Sequence, residues 1–462
     1  MIPHGFSADL KQAAQRALAA GSDMDMESRA YVGHLVALVK EKKVDARLVD
    51  DAVRRILRVK FALGLFDDPF RYSDPAREKA ATLTPANLAT ARDVARKSIV
   101  LLKNEGGILP IDKAAVRKIA VIGPLANDKD SPIGNWRGQG VTGSAVSLLE
   151  GVKAAAGPST EVAYAEGAKL ITGPRNFMAP PVYNTTDRSG FAAAVAAARG
   201  ADVVLLALGE DAFQSGEGRS QAEIGLKGLQ GELFEAVVTA NPKVVLVLSS
   251  GRPLTIEKQA AAVPAVLATW QLGSEAGNAI ADVLFGACNP SGRLPVAFPR
   301  RVGQLPMTYA HKNTGRPGPE PGVTWSRYTD LPNDPLYPFG FGLSYTSFSY
   351  SEPKLSAAEM AAGGELKVTT TVTNTGTRPG VEVAQLYVRD LVGSVTRPVK
   401  ELKGFQKVEL APGQSREVTF TLTAADLAFY TARAKWEAEP GAFKVFVGGN
   451  SRDTKEAGFS LK

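Results

Sequence analysis

The 462-residue chain has one cysteine, Cys288, and three histidines, His4, His34 and His311. A single thiol excludes an internal disulfide and any multi-cysteine metal cluster. The histidines stand far apart with no ligand spacing, which argues against a zinc site, and no metal or organic cofactor is implied. No apolar run approaches the roughly 18–20 residues that a membrane-crossing helix needs. The opening MIPHGFSADLK has no apolar core of a signal peptide. No Gly-x-Gly-x-x-Gly follows the apolar stretch Ile119–Gly123, and no phosphate loop ending in Gly-Lys-Ser/Thr occurs anywhere, so nucleotide binding is not indicated. Charge of one sign is scarce as well. Lys and Arg number 54 against 47 Asp and Glu, and the resulting net charge of +7 is mild over this length. The densest basic stretch, Val39–Lys43, is interrupted by Glu41. This reads as solvated surface, with no nucleic-acid footprint.

What is present is the composition of a soluble globular protein long enough for two or three domains. Residues 1–72 read as helical. Leu10, Ala13, Ala14, Ala17 and Leu18 fall on one helix face, Tyr31, Leu35, Leu38 and Val39 mark a second helix, and Val49, Val53, Ile56, Leu57 and Phe61 a third. Ser22–Met26 is expected to be a short strand between the first two. Residues 73–95, with Pro75 and Pro85, read as a linker running into a helix over Ala89–Leu102. From 96 to about 310, apolar runs too short for helices recur at Lys118–Pro124, Val203–Leu208, Val244–Leu248 and Val263–Trp270. Helical stretches at Gly190–Gly200 and Gln230–Ala240 lie between them. Such alternation predicts a parallel sheet with helices on both faces. Residues 311–350 form a long connection rich in Pro, Gly and aromatics. Residues 351–462 alternate apolar and polar side chains in short runs (367–374, 381–389, 417–422, 441–448) separated by turn signals, which predicts an immunoglobulin-like β-sandwich.

The stretch Ala201–Ser220 organises the candidate chemistry. Its apolar half reads as a strand buried on both faces, and its polar half holds Glu210, Asp211, Glu217 and Arg219. In open α/β sheets ligands bind beyond the carboxyl ends of the strands, which is where this loop would lie. Gly216 and Gly218 let the chain approach a ligand closely. Glu217 between them could be a general acid and Arg219 a substrate contact. Most Gly-Glu-Gly stretches are plain exposed loops, and on spacing alone that reading outweighs the catalytic one. Trp136, in Gly134–Gly138, could stack on a sugar face or equally close a domain interface. Glu275 is read as a first-turn helix carboxylate favoured by the helix dipole, and Cys288 as a packed thiol.

Several segments together resemble a known family. Trp270–Pro299 (WQLGSEAGNAIADVLFGACNPSGRLPVAFP), Ile99–Pro110 (IVLLKNEGGILP), Tyr337–Thr346 (YPFGFGLSYT) and Arg397–Phe405 (RPVKELKGF) resemble the C-terminal sandwich domain of family 3 glycoside hydrolases. Ala20–Met26 and Phe61–Pro69 resemble the end of that family's N-terminal (β/α)8 barrel. The whole is most similar to its periplasmic β-glucosidases. The resemblance implies a remnant of the barrel over 1–72, an αβα sandwich over 96–310 and a fibronectin type III-like domain over 351–462.

The family is a retaining one. Its acid/base, in this subgroup, is a glutamate in a loop of the form Ser-Gly-Glu-small-x-Ser, which Ser215–Ser220 (SGEGRS) matches, so Glu217 carries over as acid/base. The nucleophile does not carry over, because its aspartate precedes a segment like Ile2–Gly5 and is expected upstream of Met1. Helix faces of residues 1–72 that would pack in a barrel wall are then expected to face water. Ser215, Arg219 and Trp136 are the expected sugar contacts at the crevice rim. The resemblance implies hydrolysis of terminal β-D-glucosyl residues, with β-glucosides or β-linked gluco-oligosaccharides as substrates, and a periplasmic or secreted location. A second copy of the chain is carried as a partner. A β-xylosidase of the same family, and an inactive fragment that binds carbohydrate or a protein partner, are the alternatives.

Overall fold

Asp9, Asp45 and Asp74 each start a helix by accepting from a backbone N–H that the first turn leaves unpaired. The bonds run from Gln12 N (2.8 Å), Arg47 N (2.9 Å) and Ala76 N (2.9 Å). The helices they cap are α1 (Leu10–Ala19), α3 (Ala46–Ala62) and α4 (Pro75–Ala81), with α2 (Ala30–Lys40) between the first two. These belong to the first of two compact units, Met1–Thr84, within the computed structural model, which describes residues 1–317 and 324–462. Its core is small: Ala14, Leu18, Ala30, Leu38, Val44 and Ala52. Ser22–Met26, expected to be a strand, is not one. A lone strand has no neighbour to satisfy its backbone groups. Side chains tie the segment down instead: Tyr31 Oη donates to Ser22 O at 2.6 Å, and Arg55 Nε reaches both Asp23 oxygens at 2.8 and 2.9 Å.

The second unit, Pro85–Lys462, begins with α5 (Pro85–Ser98). The division between the units falls inside the stretch read as a linker. The helix expected over Ala89–Leu102 starts earlier, at Pro85, and ends at Ser98. Val100, Leu101 and Leu102 leave it to form β1 (Val100–Asn104). The sheet partner decides this, because β1 pairs antiparallel with β6 (Ala265–Ala268) and buries all three side chains there.

The sheet continues with β2 (Lys118–Ile122), α6 (Leu148–Ala156), β3 (Glu161–Ala165), α7 (Phe191–Arg199), β4 (Val203–Gly209), α8 (Gln230–Ala240), β5 (Val244–Ser249), α9 (Glu257–Ala262), β6 (Ala265–Ala268) and α10 (Ala276–Leu284). The strand order is β1-β6-β5-β4-β2-β3, all parallel except β1. Two clusters of buried apolar side chains cover its two faces, which is why β4 is buried along its entire length. Ser147 and Glu150 form a reciprocal capping box that starts α6. α6 and α10 cross where Gly151 and Gly277 meet, since a Cβ on either would collide with backbone. After β2 the chain moves outward to β3. It then returns to place β4 on the other side of β2 and continues outward the opposite way. The point of reversal therefore lies between β2 and β4, where such sheets open a crevice.

The long connection packs onto the sandwich through Trp270, Phe298, Tyr337 and Phe341, whose rings follow one another at 5.4–6.1 Å. Residues 318–323 of the expected 311–350 connection lie outside the described residues. The final region comprises β7 (Phe348–Tyr350), β8 (Lys354–Leu355), β9 (Glu359–Met360), β10 (Glu365–Asn374), β11 (Gly380–Asp390), β12 (Glu401–Leu410), β13 (Ser415–Thr423), α11 (Ala424–Leu427), β14 (Phe429–Tyr430), β15 (Trp436–Glu437), β16 (Gly441–Gly448) and β17 (Thr454–Leu461). One sheet runs β13-β10-β7, with β8 also on β10, and the other β12-β11-β16-β17-β9. The strict alternation of β10 puts Leu366, Val368 and Val372 into a shared core with Val445 and Phe459. The fold is thus an α/β sandwich followed by a β-sandwich.

Candidate active site

Two loops meet over the reversal point. One follows β2 and carries Asp128, Asp130, Ser131, Asn135 and Trp136. The other follows β4 and carries Glu210, Asp211, Ser215, Glu217 and Arg219. Both chains turn sharply on leaving the sheet, with Gly209 at φ 139° packed so closely on the Ser249 carbonyl that no side chain would fit. Asp211 then accepts from Phe213 N (2.9 Å), and Gln214 Oε1 from Asp211 N (2.8 Å), closing one tight turn over Ala212–Gln214. The next residues, Ser215–Arg219, rise out of this turn. The loops are joined by Asn135 Nδ2, which donates to Ser215 O.

Beneath the loops lies a buried set of charges. Glu210 and Asp211 are each about 3% exposed, although adjacent in sequence, and they diverge to different arginines. Glu210 Oε1 lies 2.9 Å from Arg252 Nε, and Asp211 Oδ2 lies 2.6 Å from Arg175 Nε. Arg175 also reaches Asp128 at 2.9 Å and Ser131 Oγ at 3.0 Å. Arg137 pairs with Asp130. Burial pushes both the Glu210 and Asp211 carboxyls above the ordinary carboxylate range, and Arg252 and Arg175 respectively oppose that rise. The space enclosed next to Asp128, Ser131, Glu210 and Gln271 is only about 30 Å3. That is room for water and not for a sugar ring.

The sequence-derived residues take different places. Glu217 is exposed at the tip of its loop, and among the described residues no hydrogen bond or ion pair reaches its carboxylate. Trp136 is 71% exposed, with its ring centroid 6.0 Å from that of Phe177. Ser215 is buried at the base of the loop. Arg219, expected to face a ligand, directs its guanidinium to main-chain carbonyls. Nε donates to Phe213 O (2.8 Å), Nη1 to Gly218 O (3.0 Å), and Nη2 to Phe177 O (2.5 Å) and Ala179 O (3.2 Å). Asn135, Arg175 and Arg252 were not legible as site residues. Only Arg252 carries a local signal, a charged side chain three residues past the apolar strand β5. Glu275 precedes α10 and accepts from Asn278 Nδ2 at 2.7 Å, in keeping with a structural role. Among the described residues no group of three or more His, Cys, Asp or Glu side chains is arranged to hold a metal ion. Among the described residues no helix is long and apolar enough to cross a membrane.

Residues 99–345 match the glycosyl hydrolase family 3 C-terminal domain, and residues 382–451 a fibronectin type III-like domain. A periplasmic beta-glucosidase of Salmonella typhimurium is 42% identical over 100% of this chain and 62% of its own length. A beta-xylosidase of Formosa agariphila is 36% identical over 99% of this chain and 62% of its own length. Among solved structures, a beta-glucosidase from Listeria innocua in complex with isofagomine superposes with a TM-score of 0.90 and 36% identity. That superposition covers 100% of this chain and 62% of the other. The chain thus spans about three-fifths of the length of the relatives it matches.

Proposed function

The chain belongs to glycoside hydrolase family 3, and from that premise we propose that it takes part in hydrolysing terminal non-reducing β-D-glucosyl residues, with Glu217 as general acid/base. One observation carries this reading. The loop after β4 stands over the reversal point of the sheet and presents the exposed Glu217 carboxylate, which no hydrogen bond or ion pair engages among the described residues, while the loop after β2 presents the exposed Trp136 indole. Glu210 and Asp211 are buried and ion-paired, which leaves Glu217 and Glu223 as the exposed carboxyls of this loop, and of these only Glu217 stands in the SGEGRS segment that matches the family's acid/base motif.

In a retaining mechanism Glu217 protonates the glycosidic oxygen as the bond to the anomeric carbon breaks. It then removes a proton from the water that resolves the glycosyl-enzyme. The second carboxyl must stand about 5–5.5 Å away to attack the anomeric carbon. We read that nucleophile as coming from residues outside 1–462, with residues 1–72 as the end of the barrel that bears it. Trp136 offers a flat apolar face for a sugar ring. Ser215 and Arg219 support the reading less directly, as parts of the loop that carries Glu217. The substrates are read as β-glucosides or β-linked gluco-oligosaccharides and the location as periplasmic or secreted, as the name of the Salmonella relative suggests.

The test is hydrolysis of nitrophenyl β-glucoside by the purified chain, alone and joined to a segment supplying the nucleophile. We expect turnover only when joined, and a loss of about 100- to 10,000-fold in Glu217→Gln for substrates with poor leaving groups. Robust turnover by the chain alone that Glu217→Gln abolishes would overturn the two-part reading. The Formosa relative favours a β-xylosidase as the second reading. Comparing nitrophenyl glucoside with nitrophenyl xyloside in the joined protein separates the two.

A further inference from the structure

Glu217 sits near the middle of a short segment, Gln214–Arg219, with glycine on either side. Gly216 and Gly218 have φ of 104° and 68°, and among the described residues no hydrogen bond or ion pair holds the glutamate side chain. Glycine-flanked backbone is conformationally free unless it is held elsewhere. Here both ends of the segment converge on one side chain from another element. Arg252, in the loop after β5, donates from Nη2 to Gln214 O (2.5 Å) and to Arg219 O (3.0 Å). Its Nε lies 2.9 Å from Glu210 Oε1, and Glu210 Oε2 accepts Gly251 N–H at 3.1 Å. Glu210 therefore seats both the arginine and the backbone just before it, and does so from a buried position at the rigid end of β4.

We propose that Arg252 is the positioning residue of the acid/base loop, bridging its two ends, and that Glu210 is the buried counter-charge that aims the guanidinium. This rests on the reading of Glu217 as the acid/base. The chemistry suits arginine in particular. A planar guanidinium can donate from one Nη2 to two carbonyls while its delocalised charge lies against a carboxylate, whereas a lysine ammonium is a single point of charge on a flexible stem. Closing the segment at its base fixes the height and direction of Glu217 without touching its carboxyl, so the carboxyl stays free to exchange a proton.

Hydrogen exchange of the 462-residue chain tests the bridge directly. The variant is the double substitution Glu210→Gln/Arg252→Met, which leaves no lone buried charge to unfold the domain. Amides of Ser215–Ser220 should exchange at least about tenfold faster while those of β4 and β5 hold. Unchanged exchange in the loop overturns the proposal. In the active protein containing this chain, Arg252→Met should cut hydrolysis of a poor-leaving-group glucoside about 100-fold, the scale expected of a misplaced catalytic group. It should largely spare a dinitrophenyl glucoside, whose departure needs no proton. Arg252→Lys should recover part of the loss. An equal loss on both substrates would show general damage and also overturn the proposal. Glu217→Gln run alongside keeps the two readings apart. If it lacks the leaving-group-selective loss, the acid/base reading fails there, while the bridge stands or falls on the exchange result.

Discussion

In Met1–Thr84 the longest helix, α3, runs 17 residues and buries one of them, Ala52. In Pro85–Lys462 the nine-residue α10 buries eight. Both helices carry apolar residues at helical spacing. In α10 they press on a sheet that is itself apolar on both faces, and its small residues let α6 approach closely. In α3, Val53, Leu57, Val59 and Phe61 remain exposed, as do Val32 and Val36 of α2. The expected exposure of these helix faces is what the structure shows. An apolar stripe is therefore a request for a partner, and a sheet is the partner that answers it most fully. A core built largely from alanine and a few larger side chains removes little apolar area from water. The larger unit instead buries whole strands.

The contrast can be broken most forcefully where the α/β sandwich meets the β-sandwich. Arg293 and Glu382 pair at 2.7 Å with side chains 9% and 5% exposed, and Tyr350 Oη donates to the same carboxylate at 2.7 Å. Arg293→Ala should cost the larger unit about 3–5 kcal/mol in urea unfolding, because Glu382 is left charged and buried. A cost under about 1 kcal/mol would mean that this interior is wetter than its packing implies.

Alkali probes the same interior more gently. Burial pushes the Tyr337 phenol up to about 12 and raises those of Tyr345, Tyr350 and Tyr387 further. A raised folded-state value favours the protonated form in the native protein. The associated stability is fully present below the unfolded value near 10 and is lost as pH climbs from there through about 12. For Tyr337 the loss is of order 1–3 kcal/mol. Phenolate absorbance should therefore rise together with unfolding, and ionisation of these tyrosines well before unfolding would contradict their burial.

The smallest effect sharpens the contrast from the other side. Val36 is 66% exposed on the same helix as the buried Leu38. Val36→Ser should change stability by no more than about 0.5 kcal/mol. A marked loss in thermal unfolding would show that this face has a partner in solution.

The elements that sequence reading located well are those whose signal is local. β2, β4 and β5 are continuous apolar runs, and α7 and α8 lie within a residue of where their periodicity placed them. Residues 99–102 were misplaced because apolar side chains suit a helix face and a buried strand equally. The choice was made by β6, more than 160 residues away. Ser22–Met26 failed as a strand for the converse reason, since no neighbour was available. Glu217 was legible only through the likeness of SGEGRS to a family motif, as spacing alone favoured an ordinary loop.

The sequence by itself determined the apolar runs, the helical periodicities and the family likeness, because periodicity and motif are properties of neighbouring residues. The tertiary structure alone decided which charges meet. Arg252 lies 38 residues from Gln214 and 33 from Arg219, and Arg175 lies 36 from Asp211. Nothing in their local patterns predicts these contacts. They exist because parallel strands bring the loops after β2, β3, β4 and β5 to one end of the sheet. There, charges taken out of water must find one another, or the fold bears the cost of leaving them unpaired.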